Sequence, residues 1–178
     1  MKQLILGIAI TIFYLITPGT YASAQSTENE IAFISNSHLQ RYGLSDEENF
    51  TEPYVNDINI KAKRNFTKSF ENITNEKWYR ISGGYFASFK KNNIKTEVYY
   101  NNKGTWLYNL LIYPEDQLAT SVRDLVKSKY NDYTILIAFE CQFFDGPVYI
   151  IKMKNSNTCK TVMVSDDEMQ VIEEFANT

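Results

Sequence analysis

The sequence predicts an α+β fold in which an antiparallel meander sheet carries helices packed on one face. Three observations support this fold class. Apolar residues recur every three or four positions from Val55 to Phe70, which is the period of an amphipathic helix. After Trp78 the period changes to two, in segments rich in aromatic and β-branched residues. A helical pattern followed by strand-like segments then occurs a second time after Pro114, so we expect two helix-plus-strands repeats.

The first repeat contains one helix and four strand segments. The apolar side of the helix consists of Val55, Ile58, Ala62, Phe66 and Phe70. The strand segments that follow are residues 78–81, 85–90, 95–100 and 105–113. The connections between them contain glycine and asparagine, which tolerate the positive φ of tight hairpins. These strands are therefore expected to follow one another as an antiparallel meander.

The second repeat begins at Pro114, because proline is tolerated in the first turn of a helix and acidic residues follow it. The apolar side of this helix consists of Leu118, Val122, Leu125 and Val126. Strand segments are predicted at 133–144, 147–154 and 158–164. Ser165 and Glu168 have the spacing of a capping box, so a short terminal helix is expected to end the chain.

The first 24 residues have the three-part pattern of a signal peptide. Lys2 precedes an apolar run over residues 4–16, and Ala22 and Ala24 supply the small side chains that signal peptidase needs. This run is shorter than the roughly 20 residues that cross a bilayer. We therefore expect cleavage after Ala24 and export to the periplasm or out of the cell, with no stable membrane anchor after cleavage.

The exported part is expected to have two regions. Residues 25–53 form a polar, partly disordered leader that contains a short apolar patch at 31–34. Residues 54–178 form a single α+β domain. The whole chain has 18 basic and 21 acidic residues, and removal of Lys2 with the signal peptide leaves a net charge of −4. A mildly acidic chain without a long basic cluster is not expected to bind nucleic acid.

No combination of residues in the sequence indicates catalysis, a metal site or a cofactor. His38 is the only histidine and lies in the predicted leader, so a histidine-based catalytic triad has no support. Carboxylates occur in consecutive groups at 46–48 and 166–168. Helix capping or a solvated surface accounts for them, and a calcium site is the alternative. We therefore expect a protein that is not an enzyme and needs no cofactor.

Cys141 and Cys159 are the two cysteines of the chain, and export permits a disulfide between them. The inferred alternation places Cys141 with Ile137 and Phe139, whereas Cys159 alternates away from Val162. If neighbouring strands share one core face, the two thiols lie on opposite sides of the sheet and cannot bond. Two separate, partly buried cysteines are favoured, and the disulfide is the alternative.

The strand segments 95–100 and 105–113 carry apolar residues on both of their alternating faces. One face is expected to pack under the helices through Ile94, Val98, Tyr100, Trp106, Tyr108, Leu110 and Ile112. The other face then carries Tyr99, Leu107, Leu111 and Tyr113. A sheet face with large aromatic residues must be covered or bind something. We interpret it as a candidate partner-binding face, with coverage by the leader or self-association as the alternative.

Blocks of aromatic and glycine residues recur along the predicted domain. They are Trp78, residues 83–89 (Gly-Gly-Tyr-Phe-Ala-Ser-Phe), 97–100 (Glu-Val-Tyr-Tyr), 104–106 (Gly-Thr-Trp), 125–130 and 145–149. With this pattern, residues 55–175 resemble the small exported bacterial PepSY-like proteins. The resemblance implies a fold like that of the β-lactamase-inhibitor proteins (BLIP), in which a helical layer packs on an antiparallel sheet. It also implies binding or inhibition of other proteins, and it brings no catalytic residue.

These observations favour an exported, non-catalytic module that binds or inhibits another envelope or secreted protein through an aromatic sheet face. The alternative is a periplasmic protein that binds a small apolar ligand between sheet and helices. An enzyme is disfavoured, because the chain has a single histidine and no nucleophile motif.

Overall fold

The structure, a computed structural model, describes residues 57–176 of the chain. The expected signal peptide, the leader with its apolar patch, His38 and the carboxylates at 46–48 lie outside these residues. The described residues belong to the predicted α+β domain.

Residues 57–176 contain two α-helices, α1 at Ile60–Ser69 and α2 at Thr120–Lys129. The Asn59 side chain caps α1 by accepting a hydrogen bond from the backbone N–H of Lys61 at 2.9 Å. The predicted second helix is interrupted, because a short 3-10 helix at Glu115–Gln117 is followed by extended backbone before α2 begins. The buried residues of the two helices are Ala62, Phe66, Val122 and Val126, which belong to the predicted apolar sides.

Eight antiparallel strands form one sheet in which spatial order follows sequence order. The strands are β1 (Lys77–Ile81), β2 (Gly84–Lys91), β3 (Ile94–Asn101), β4 (Trp106–Tyr113), β5 (Thr134–Gln142), β6 (Pro147–Lys154), β7 (Thr158–Ser165) and β8 (Glu168–Ala176). The first seven lie where the period-two segments predicted them. The α+β meander built from two helix-plus-strands repeats is confirmed.

Both helices complete hydrophobic cores on the same face of the sheet, which we call the helix face. In the first repeat, Phe66 of α1 packs with Trp78 and Phe89 in an edge-to-face arrangement, at centroid distances of 5.4 and 5.5 Å. In the second repeat, Val126 of α2 belongs to a mainly aliphatic core with Ile151. We call the opposite face the ladder face.

The predicted terminal helix is wrong, because residues 168–176 form strand β8. Asp166 and Asp167 have φ values of 50° and 62°, the left-handed conformation of a two-residue hairpin turn. Ser165 and Glu168 pair across that turn, so their spacing marks a hairpin and not a capping box. The acidic residues at 166–168 are thus exposed at a turn.

The turns that join β1 to β2, β3 to β4, β5 to β6 and β7 to β8 gather at one end of the sheet, because all neighbouring strands are antiparallel. We call this the hairpin end. The start of α1 lies there too, since the Asn59 side-chain amide donates to the Asn102 carbonyl at 3.1 Å. Gly104 permits this approach: it has φ +76°, and a Cβ on it would lie 2.9 Å from the backbone nitrogen of Ala62.

Candidate functional site

The four residues predicted to share one face do not do so. Tyr99 pairs directly with Tyr108, but the next residue, Tyr100, pairs with Trp106, so Leu107 is an extra residue in β4. This β-bulge reverses the alternation that the sequence suggested for β4 relative to β3. Tyr108, and with it Leu110 and Ile112, therefore lies on the ladder face and not under the helices.

Leu111 and Tyr113 lie on the helix face, where both pack into the core of α2. Tyr113 is 9% exposed. Tyr99 lies on the ladder face and is 3% exposed, so it is not a surface residue either. Of the four predicted residues, only Leu107 is exposed, at 42%. The predicted common face is therefore corrected by the register of β3 and β4.

The ladder face carries a row of five stacked or tilted aromatic rings, which we call the aromatic ladder. It runs across strands β1 to β4 and reaches the turn after β5, with ring centroids 4.5 to 5.5 Å apart. Its members are Tyr79, Phe86, Tyr99, Tyr108 and Phe143. Such stacked pairs add to the stability that their burial provides.

One carboxylate is buried on the ladder face. Glu97 accepts a hydrogen bond from the Tyr99 hydroxyl, and Lys95 lies 3.6 Å from its second oxygen. All three side chains point to the same face because they alternate along β3. The charge of this glutamate is thus compensated inside the structure, as a buried charge requires.

A chain of polar side chains crosses the helix face where β4 meets β5, and we call it the seam. The Trp106 indole N–H donates to Asn109 at 2.9 Å, and the Asn109 amide donates to Gln142 at 3.2 Å. The Gln142 amide then donates to Glu140 at 2.7 Å. The other carboxylate oxygen of Glu140 accepts from the Tyr113 hydroxyl at 2.6 Å.

The seam connects the two repeats. Trp106 packs against the core of α1, and Tyr113 belongs to the core of α2. Asn109 and Gln142 are directly paired residues of the two central strands. Most residues of the seam are half-buried. Their hydrogen bonds to one another fix their geometry, while part of each side chain remains in contact with solvent.

Glu140 is the electrostatic centre of the seam. The pKa of Tyr113 is raised mainly by burial and further by its hydrogen bond to Glu140 and the charge of that carboxylate. The pKa of Tyr149 is also raised, by burial first and then by the charge of Glu140. Burial, with a smaller contribution from Glu140, also raises the pKa of Cys141 on the opposite face to about 12. Within residues 57–176, no lysine or arginine forms an ion pair with Glu140.

Two exposed apolar side chains stand beyond the seam at the hairpin end, and we call them the rim. Phe144 is 98% exposed in the turn between β5 and β6. Leu107 would lie across from it if the pairing of Asn109 with Gln142 continued by two residues. Phe144 is not among the predicted site residues, because residue 144 was assigned to a strand. The sequence does contain a signal, because Phe143 and Phe144 are consecutive and directly precede the turn residues Asp-Gly. Consecutive residues of a strand point to opposite faces, so two adjacent phenylalanines cannot both lie on one face of the sheet.

The two cysteines lie on the same face of the sheet, contrary to the prediction that they lie on opposite faces. Cys141 pairs with Val148 and Cys159 pairs with Lys154, six residues farther along β6. This spacing separates the thiols by about 20 Å along the strand direction, which is too far for a bond. The structure accordingly has no disulfide between Cys141 and Cys159.

Within residues 57–176, no three His, Cys, Asp or Glu side chains converge in a way that could hold a metal ion. In the same part of the chain, neither helix has the length and apolar character needed to span a membrane.

Comparison with known proteins shows the fold. No family model matches the sequence, and no curated protein matches it. A DUF2874 family protein from Bacteroides ovatus is similar in structure, with TM-score 0.58, 17% identity and coverage of 68% of this chain and 89% of that chain. A proposed periplasmic protein from Bacteroides eggerthii has TM-score 0.55 and 14% identity, with coverage of 67% and 88%. A BLIP-like protein from Bacteroides fragilis has TM-score 0.54 and 15% identity, with coverage of 65% and 84%. The chain therefore has a BLIP-like α+β fold.

Proposed function

We propose that the chain is an exported, non-catalytic module of the PepSY-like kind that binds or inhibits another exported protein through the rim. The observation that carries the proposal is the exposure of Phe144. Its side chain is 98% exposed, although burying a phenylalanine stabilises a protein or a complex by about 1.5–3 kcal/mol. Leu107 adds a second exposed apolar side chain on the neighbouring strand.

The rim is held by the residues around it. The Phe143 ring packs against Tyr108 in the aromatic ladder, with centroids 5.5 Å apart and the ring planes tilted by 47°, and its backbone N–H donates to the Gly146 carbonyl at 3.2 Å. These contacts hold the turn that presents Phe144. An aromatic side chain on a rigid turn loses little conformational entropy on binding, which favours its use as an anchor.

Export is supported by the signal-peptide pattern that ends at Ala24. It is also supported by the similar fold of the proposed periplasmic protein from Bacteroides eggerthii. A non-catalytic role is supported by the seam, whose groups hydrogen-bond to one another and include no nucleophile beside a base. The resemblance to PepSY-like proteins points to binding or inhibition of a protein.

The experiment is affinity capture of exported proteins on the immobilised mature chain, with cross-linking to retain weak complexes. Phe144→Ser is compared with Phe175→Ser, a matched control at another exposed phenylalanine, 52% exposed on β8. We expect Phe144→Ser to reduce capture of a stoichiometric protein partner by roughly tenfold or more. Phe175→Ser should leave capture unchanged.

Equal capture by the two folded variants would contradict the rim as the binding surface. If no protein is captured and a mass spectrum of the gently purified protein shows an apolar adduct, the protein instead binds a small apolar ligand, which is the alternative function.

A further inference from the structure

We propose that the seam binds an arginine guanidinium of the partner, with Glu140 as its anionic acceptor. This inference rests on the proposed function, because it names the chemistry that the partner presents beside the rim. It concerns residues other than the rim, so the two can be tested separately.

Glu140 differs from three other glutamates of residues 57–176, each of which forms an ion pair with a lysine. Glu97 is paired with Lys95, Glu115 with Lys127, and Glu174 with Lys160. Among the described residues, Glu140 receives only neutral donors, one on each oxygen, from Gln142 and Tyr113. A charge that is half-buried and solvated only by neutral groups is a strong acceptor for an incoming cation.

The two donors also hold the carboxylate in a fixed orientation. A carboxylate has about four lone-pair sites, so each oxygen of Glu140 can accept one more hydrogen bond. A guanidinium presents two parallel N–H groups whose spacing matches the two oxygens of a carboxylate. Arginine therefore fits the two open positions better than lysine, which presents a single point charge.

An aromatic side chain stands beside the carboxylate. Tyr149 pairs with Glu140 across β5 and β6, and the charge of Glu140 contributes to its raised pKa. A planar guanidinium can stack on an aromatic ring while it donates to an adjacent carboxylate. The pair Glu140 and Tyr149 thus supplies both contacts that arginine uses at protein interfaces.

The distance between seam and rim constrains the partner. Phe144 follows Glu140 by four residues, which corresponds to about 13 Å along an extended strand. This is longer than one arginine side chain, so the guanidinium and the group that covers Phe144 must come from different partner residues. An extended partner segment of about four residues would span this distance.

The experiment is an NMR titration of the mature chain with N-acetyl-arginine amide. N-acetyl-citrulline amide is the matched probe, since it has nearly the same shape and no charge. The reporters are the Trp106 indole N–H and the Gln142 side-chain amide, which are both hydrogen-bonded within the seam. We expect saturable shifts with arginine at a Kd of about 1 mM, a range typical of a single small contact, and at least tenfold weaker binding of citrulline.

Glu140→Gln removes the charge and keeps a carbonyl that can accept from Tyr113. It should weaken arginine binding by roughly tenfold. Glu173→Gln, at another glutamate of the sheet, is the matched control and should bind arginine as the unchanged chain does. Thermal unfolding and the amide spectrum verify that Glu140→Gln remains folded.

Equal binding of arginine and citrulline, or arginine binding that survives Glu140→Gln, would overturn the inference. The outcome is separable from the proposed function. If Phe144→Ser leaves capture of a protein unchanged while arginine still binds at Glu140, the rim proposal fails and the seam proposal stands. If Phe144→Ser abolishes capture and arginine does not bind, the reverse holds.

Discussion

The two faces of the central strand pair, β4 with β5, carry different kinds of side chains. On the ladder face, Phe139 and Cys141 are buried among apolar neighbours. On the helix face, Asn109, Gln142 and Glu140 are half-buried and hydrogen-bonded in a row. Alternation along the two strands therefore puts these polar groups on the face opposite Phe139 and Cys141, beside Leu111 and Tyr113, which pack into the core of α2. The difference teaches that the ordered polar side chains of this strand pair lie where the two repeats meet, between the core of α1 and the core of α2.

The largest expected effect tests the ladder side of this comparison. Phe139 is 2% exposed, so Phe139→Ala should lower the free energy of unfolding by about 3–5 kcal/mol through lost burial and a cavity. Leu111→Ala is the matched change on the helix face of the same strand pair. Leu111 is half-buried, and the expected loss is about 1–2 kcal/mol. Urea unfolding of the mature chain measures both values.

Equal losses in these two variants would show that both faces contribute similarly to stability. The contrast in stability between the ladder face and the helix face of this strand pair would then be wrong.

The second prediction concerns stability at alkaline pH. Burial, with a smaller contribution from the charge of Glu140, raises the pKa of Cys141 to about 12 in the folded state. In the unfolded chain the thiol titrates near 8.5, so above that pH the unfolded state loses a proton that the folded state keeps. The free energy of unfolding therefore falls as the pH rises toward 12, by about 1.4 kcal/mol per unit and up to about 5 kcal/mol in total.

Cys141→Ala removes this titration, so its stability should fall less steeply between pH 9 and 12 than that of the unchanged chain. The measurement is urea unfolding at several pH values in that interval. Tyr113 and Tyr149 also have raised pKa values and add loss of the same sign, and they remain in both proteins. Parallel pH dependences would mean that the Cys141 thiol is not protected by the ladder face.

Much of the fold could be predicted from the sequence, because the period of the apolar residues is a local property. Phe66 and Val126 lie on the predicted helical sides, and seven strands lie where the period-two segments placed them. The turn at Asp166 and Asp167 was misread because acidic residues before an apolar segment suit both a helix start and a hairpin. The apolar residues after the turn also alternate with a period of two, and this alternation would have predicted a strand.

The candidate site could be predicted only in part. Leu107 is among the predicted residues and is exposed, but Leu111 and Tyr113 lie on the helix face because of the β-bulge at Leu107. A β-bulge depends on how two strands pair, which the sequence of one strand does not show. The seam joins Asn109 to Gln142, which are 33 positions apart in sequence. Their contact follows from the register of β4 with β5, and no local pattern contains that information.

The smallest expected effect tests the seam side of the comparison. Gln142→Ala removes the amide that donates to Glu140 and the carbonyl that accepts from Asn109. Both partners are half-buried and can recruit water, so the expected loss in the free energy of unfolding is about 1–2 kcal/mol. Gln170→Ala, at an exposed glutamine on β8, should change it by no more than about 0.5 kcal/mol. Urea unfolding measures both changes. A loss near that of Phe139→Ala would show that the seam is a main source of stability. A small loss would show that the neutral donors contribute little to stability, so that Glu140 can accept further hydrogen bonds from the guanidinium proposed above.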